Sequence, residues 1–150
     1  MDVDATPIVT EDKIYVASYD GSLYAFKRQD GASIWELKDG SAYGATLEGD
    51  TLYYSSGEGY LYALDAKDAN IKWRTKVKAK FLTKPVILEN FIIAGSADRG
   101  LEVYKKQTGA FVTEYNTGNG IFSVPVIGDD QQIYTYSNFG VLYSFKLVNW

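Results

Sequence analysis

The chain has 150 residues, 46% hydrophobic and 15% aromatic with 14 Gly, which excludes a disordered chain and suits short strands between tight turns. Cys and His are both absent, and that removes thiol catalysis, Cys/His zinc sites, disulfides and a Ser-His-Asp triad in one step. A net charge of −4 with a pI near 4.8 gives no positive field to draw phosphate, so nucleic acid is not the expected partner.

Taken in chain order, the first unit predicts strands at Thr6–Val9, Lys13–Ser18, Ser22–Lys27 and Ser33–Leu37. Pro7 opens the first of them, where a missing N–H is tolerated. The stretch YVASYDGSLYAF at 15–26 reads as a hairpin with Asp20-Gly21 in a type I′ turn. A near copy, YYSSGEGYLYAL, follows at 53–64, with Ala45 in the place of the proline. Two further copies, IIAGSADRGLEVY at 92–104 and IYTYSNFGVLYSF at 133–145, are preceded by Pro85 and Pro125. Aligned, Ser18, Ser56, Ser96 and Ser137 form one column and Leu23, Leu61, Leu101 and Leu142 another, with successive Leu positions 38, 40 and 41 residues apart. A period near 40 made of strands and turns is the signature of a propeller blade. The expected fold is all-β: a β-propeller of four-stranded antiparallel blades over 5–40, 43–79, 83–117 and 121–150, forming one partial domain over 1–150. No run approaches the roughly 18 apolar residues of a membrane span, and no signal peptide is expected at the N-terminus.

GSLYAFKRQDGASIW at 21–35 and GYLYALDAKDANIKW at 59–73 resemble the quinoprotein-type (PQQ-like) propeller repeat, as do the openings ATPIV at 5–9 and SVPVI at 123–127. Among families built on that repeat, the chain is most similar in style to the BamB scaffolds of the outer-membrane β-barrel assembly machinery. The resemblance implies an eight-bladed ring, a periplasmic or extracellular setting, a protein partner and no enzyme activity. It also implies that Trp35 and Trp73 dock each blade on the next. In unit three Thr113 takes that column, and Phe111, two residues earlier on what simple alternation makes the same face, is the expected substitute. The dehydrogenase branch of the repeat uses a quinone, calcium and an adjacent-cysteine disulfide; no segment here matches those residues, and no cofactor or metal is expected.

Four units make half of such a ring, and on unit one's register Trp150 falls at the Gly31 position, ahead of the last strand. Two copies pairing with C2 symmetry, or a missing half, would complete it. One stretch breaks the repeat. In KWRTKVKAKF at 72–81, Lys72, Arg74, Lys76, Lys78 and Lys80 alternate, which puts all five on one face of an extended strand. Lysines on an outer strand discourage strand addition; the alternative is a docking surface for an acidic partner. Arg99, beside a turn, is a second candidate contact. The Tyr columns and the repeated Ser are read as sheet packing and hairpin bonding. The turn carboxylates, Asp129-Asp130 included, lack calcium-loop spacing. A saccharide- or peptide-binding sensor is the second functional reading, with its site among the first strands of the blades.

Overall fold

Runs of four to six β-branched and aromatic residues, each closed by Gly, Asp, Asn or Ser, build a chain of short antiparallel strands. The computed structural model describes residues 5–18, 22–39 and 43–148; the Asp20-Gly21 turn and Trp150 lie outside the described residues. Blade one comprises β1 (Ile8–Val9), β2 (Lys13–Ser18), β3 (Ser22–Lys27) and β4 (Ser33–Leu37). Blade two comprises β5 (Ala45–Glu48), β6 (Thr51–Ser55), β7 (Tyr60–Asp65) and β8 (Ile71–Lys76). Blade three has β9 (Val86–Leu88), β10 (Phe91–Gly95), β11 (Gly100–Lys105) and β12 (Phe111–Asn116), and blade four has β13 (Val126–Ile127), β14 (Ile133–Tyr136) and β15 (Leu142–Phe145). Each sheet is a meander whose strands lie in chain order, four strands in blades one to three and three among the described residues of blade four. β1 begins only after Pro7, two residues later than the sequence reading, since proline cannot donate to the ladder.

Every complete blade carries a β-bulge at the same place. The pairing of third and fourth strands slips between Ala25 and Phe26, between Ala63 and Leu64, and between Val103 and Tyr104. The extra residues are Ile34, Lys72 and Val112. A bulge breaks the period of two, so side chains on either side of it no longer share a face by simple counting.

The apolar core lies between sheets. Tyr15, Ala25, Tyr54 and Leu64 fill the joint of blades one and two. Tyr53, Ala63, Ile92 and Tyr104 fill the next, and Ile93, Val103, Ile121 and Ile133 the third. Leu23 and Leu61 are fully buried, each burial worth about 1.5–3 kcal/mol. Two of the Ser column serve their hairpins: Ser56 Oγ accepts from Tyr60 N at 3.2 Å, and Ser137 Oγ from Val141 N at 3.2 Å, whereas the buried Ser96 Oγ has no partner among the described residues. The outer faces of the end blades stay open, with Val9, Val126 and Leu142 all more than half exposed.

Candidate docking surface

Trp35 and Trp73 stand at the blade joints. Trp35 Nε1 donates to the Ala66 carbonyl of blade two at 3.3 Å, and Tyr15 OH donates to the same oxygen at 3.1 Å. Trp73 Nε1 donates to Lys106 O of blade three at 3.1 Å, beside Thr75 Oγ1 on Gly109 O at 2.8 Å. In both cases a tyrosine of the second strand leans on the indole, Tyr15 at 5.9 Å and Tyr53 at 6.3 Å. Gly109 has φ +69°, and a Cβ there would fall 2.4 Å from the Trp73 ring, so only glycine admits the indole.

Phe111 does not take over in blade three, which corrects the sequence expectation. The bulge at Val112 turns Phe111 back toward blade two, edge-on to Tyr104 at 5.6 Å and under Lys78 Nζ at 4.2 Å. The forward contact is made instead by Val112 and by Tyr115, whose ring meets Phe145 at 4.8 Å and Tyr143 at 5.7 Å. Tyr115 lies outside the repeat motif, although alternation from Thr113 places it on the same face.

Arg99 is likewise placed differently. It is not a free loop tip: Nε donates to Glu114 Oε2 at 3.0 Å and the second nitrogen to Oε1, a bidentate pair within blade three. The pair holds the Glu114 carboxyl below its usual range. Glu114 sits opposite Glu102 in the ladder, and Arg99 offsets that like-charge contact. Glu102 is fully buried; the Tyr104 hydroxyl donates to its Oε2, and its Oε1 has no partner among the described residues. Burial pushes the Glu102 carboxyl up.

All five cations of the 72–80 stretch are exposed, while Val77 and Ala79 between them are buried. They do not form one line. Lys72 is the bulge residue and reaches Thr51 Oγ1 at 2.7 Å in its own blade. The other four, Arg74, Lys76, Lys78 and Lys80, alternate with half-buried or buried residues along the end of β8 and the connector after it. Arg74 and Lys76 both lie over the Tyr60 ring, at 5.2 and 4.4 Å, and Lys78 over Phe111. Cations over aromatic faces are pre-positioned without being neutralised.

Sequence reasoning missed a feature of the connectors. Tyr43, Phe81 and Phe122, one from each connector between blades, stack in succession: 4.5 Å and 10° for the first pair, 5.8 Å and 20° for the second. They recur at close to the repeat spacing, which was the available signal. The second and third connectors are tied to their blades by hydrogen bonds. Thr83 N donates to Gly95 O at 2.8 Å, Ser55 Oγ to Thr83 O at 3.0 Å, and Phe122 N to Asn138 Oδ1 at 3.0 Å. Phe122 is 57% exposed and Tyr43 37%, so the stack presents apolar edges to solvent, with the exposed Lys80 preceding Phe81 in the chain. Along the first strands, the site expected for a sensor, Thr46 Oγ1 donates to Pro85 O at 2.5 Å and so joins two blades. Among the described residues no three His, Cys, Asp or Glu side chains converge to hold a metal.

Sheets of this build, packed face to face and docked through tryptophans, define a β-propeller of the quinoprotein-type repeat. The family profile described as outer membrane protein assembly factor BamB matches residues 1–47 and 20–118, and the chain belongs to that family. A relative from Shewanella oneidensis carrying that name is 28% identical over 143 residues, 94% of this chain and 36% of its own length. The chain thus spans about a third of the curated relatives it matches. The crystal structure of BamB from Moraxella catarrhalis superposes with a TM-score of 0.81 at 26% identity, over 97% of this chain and 45% of that one. The computationally designed Ika4 protein shares the fold alone, with a TM-score of 0.79 at 10% identity, covering 98% of this chain and 96% of that one.

Proposed function

We propose that the chain is part of a non-catalytic propeller scaffold for outer-membrane protein assembly, working on the periplasmic side and taking a protein partner on its connector face. The observation that supports this most is the stack of Tyr43, Phe81 and Phe122, whose middle ring follows Lys78 and Lys80 in the same connector. An apolar ridge with cations in its middle connector fits a partner segment that combines acidic and apolar residues, with the apolar part supplying affinity and the charges the rate of encounter. The relatives named as assembly factors agree with this reading.

The test is charge reversal of Lys76, Lys78 and Lys80 to Glu, read by surface plasmon resonance against a purified outer-membrane assembly complex. The association rate is expected to fall about tenfold at low salt and to lose most of its salt dependence, with the β-sheet circular dichroism unchanged. An unchanged rate removes this face from consideration. The open outer faces of blades one and four are, in the same reading, covered by further blades, from a second copy or from the rest of a longer chain. Light scattering of the 150-residue chain then gives twice 16.7 kDa for the two-copy ring, and a concentration-independent 16.7 kDa rules that ring out.

A further inference from the structure

Five of the six asparagines precede a β-branched or aromatic residue, and Asn119 precedes Gly120. A glycine leaves its own amide nitrogen unshielded by a side chain. Asn119 is exposed in the third connector, between β12 and β13, and its carboxamide makes no hydrogen bond among the described residues. The N–H of the buried Gly120 makes none there either. Three other asparagines have their carboxamides held. Asn70 Nδ2 donates to Asp68 Oδ2 at 2.8 Å, Asn116 Oδ1 accepts from Gly118 N at 2.7 Å, and Asn138 Oδ1 accepts from Phe122 N at 3.0 Å.

We infer that Asn119 is a self-modifying position, where the Gly120 nitrogen closes on the Asn119 carboxamide carbon, and that Asn138 restrains the reaction. The Gly120 amide gives its proton to hydroxide, which costs no hydrogen bond because the N–H has none to break. The N–Cγ bond forms, the Cγ–Nδ2 bond breaks, and Nδ2 takes a proton from water and leaves as ammonia. Water then opens the five-membered imide at one of its two carbonyls, giving aspartate or its β-linked isomer. Ring closure turns the Asn119 carbonyl, and Asn138 holds this segment twice: its Nδ2 donates to Asn119 O at 2.6 Å and its N to Gly120 O at 3.1 Å. The chain beyond Asn119 has no slack for the isomer. Gly120 has φ +73°, a Cβ on it would fall 2.1 Å from Ala97 O, and the fully buried Ile121 donates its N–H to Ser96 O at 2.8 Å. A β-linkage adds one carbon to the main chain at that point. It therefore displaces Ile121 from the joint of blades three and four and Phe122 from its stack on Phe81, and it leaves a new negative charge in the connector.

The experiment incubates the 150-residue chain in mildly alkaline buffer and follows every asparagine by peptide mapping and mass spectrometry, with isoaspartate scored enzymatically. The free peptide of residues 117–122, TGNGIF, gives the unrestrained rate. Conversion is expected at Asn119 ahead of every other asparagine, and faster as the pH is raised. Asn138→Ala should speed it about threefold, the weight of one exposed hydrogen bond, at this asparagine alone and with the β-sheet circular dichroism unchanged. In the converted chain amide exchange at Ile121 and Phe122 should quicken. Asn119→Asp, which adds the charge and no main-chain carbon, should keep the original protection. Another asparagine converting first, a folded chain left intact while the free peptide is consumed, a rate unmoved by Asn138→Ala or raised at all asparagines together, or unaltered exchange at Ile121 after conversion would each overturn the assignment.

Discussion

The joint between blades two and three and the joint between blades three and four solve one problem differently. The first is a lock: an indole lies flat over a glycine with φ +69°, its N–H on Lys106 O. The second is a cluster of rings, Tyr115 against Tyr143 and Phe145, with Tyr115 still 49% exposed. A lock depends on one geometry and fails when any part changes. A ring cluster spreads its contacts and yields gradually. Sheets that pack face to face can therefore be joined by a specific hydrogen-bonded anchor or by unspecific aromatic area, and this chain uses both.

The largest effect should come from removing the anchor. Trp73→Ala is expected to cost about 3 kcal/mol, the lower end of the range for large aromatics because the ring is half-buried, measured by urea unfolding. Tyr115→Ala should cost only about 1 kcal/mol, since its partners are already part-exposed. Equal losses for the two would break the distinction between lock and cluster.

The smallest effect concerns the buried acid of blade three. Glu102 has its carboxyl raised by burial, so the folded state holds its proton to higher pH than the unfolded state. Its favourable contribution is therefore complete below the usual Glu range and is lost as pH rises from 4.5 through the folded value. Arg99–Glu114 runs the other way: with the Glu114 carboxyl lowered, its contribution is present above 4.5 and lost as pH falls. The difference in unfolding free energy between wild type and Glu102→Gln should thus change in favour of the variant as pH rises above 4.5. A difference that stays flat across that window would mean Glu102 is solvated in the folded state.

Strand positions were legible because a period of two and Gly/Asp turns are local properties: Lys13–Ser18, Ser22–Lys27 and Ser33–Leu37 fall where the pattern puts them. The bulges were not, since nothing in FVTEY marks Val112 as the extra residue and the slip shows only in the pairing with the third strand. That one unread residue explains why Phe111 faces backward; Tyr115 keeps the alternation of Thr113 but falls outside the repeat motif. Of the candidate surface, the cations were readable as an alternating run, except Lys72, again because of a bulge. The aromatic stack lies in connectors without strand periodicity, where only the repeat spacing links Tyr43, Phe81 and Phe122.

The acceptors at the locked joints, Ala66 O and Lys106 O, are main-chain atoms. Substituting either side chain leaves the acceptor in place. A duplicated gene segment encoding one blade consequently arrives with both halves of the coupling, an indole to offer its neighbour on one side and a turn carbonyl to receive one on the other. Arrays can lengthen by copying without inventing a new interface, and the turn sequences stay free to drift toward other tasks.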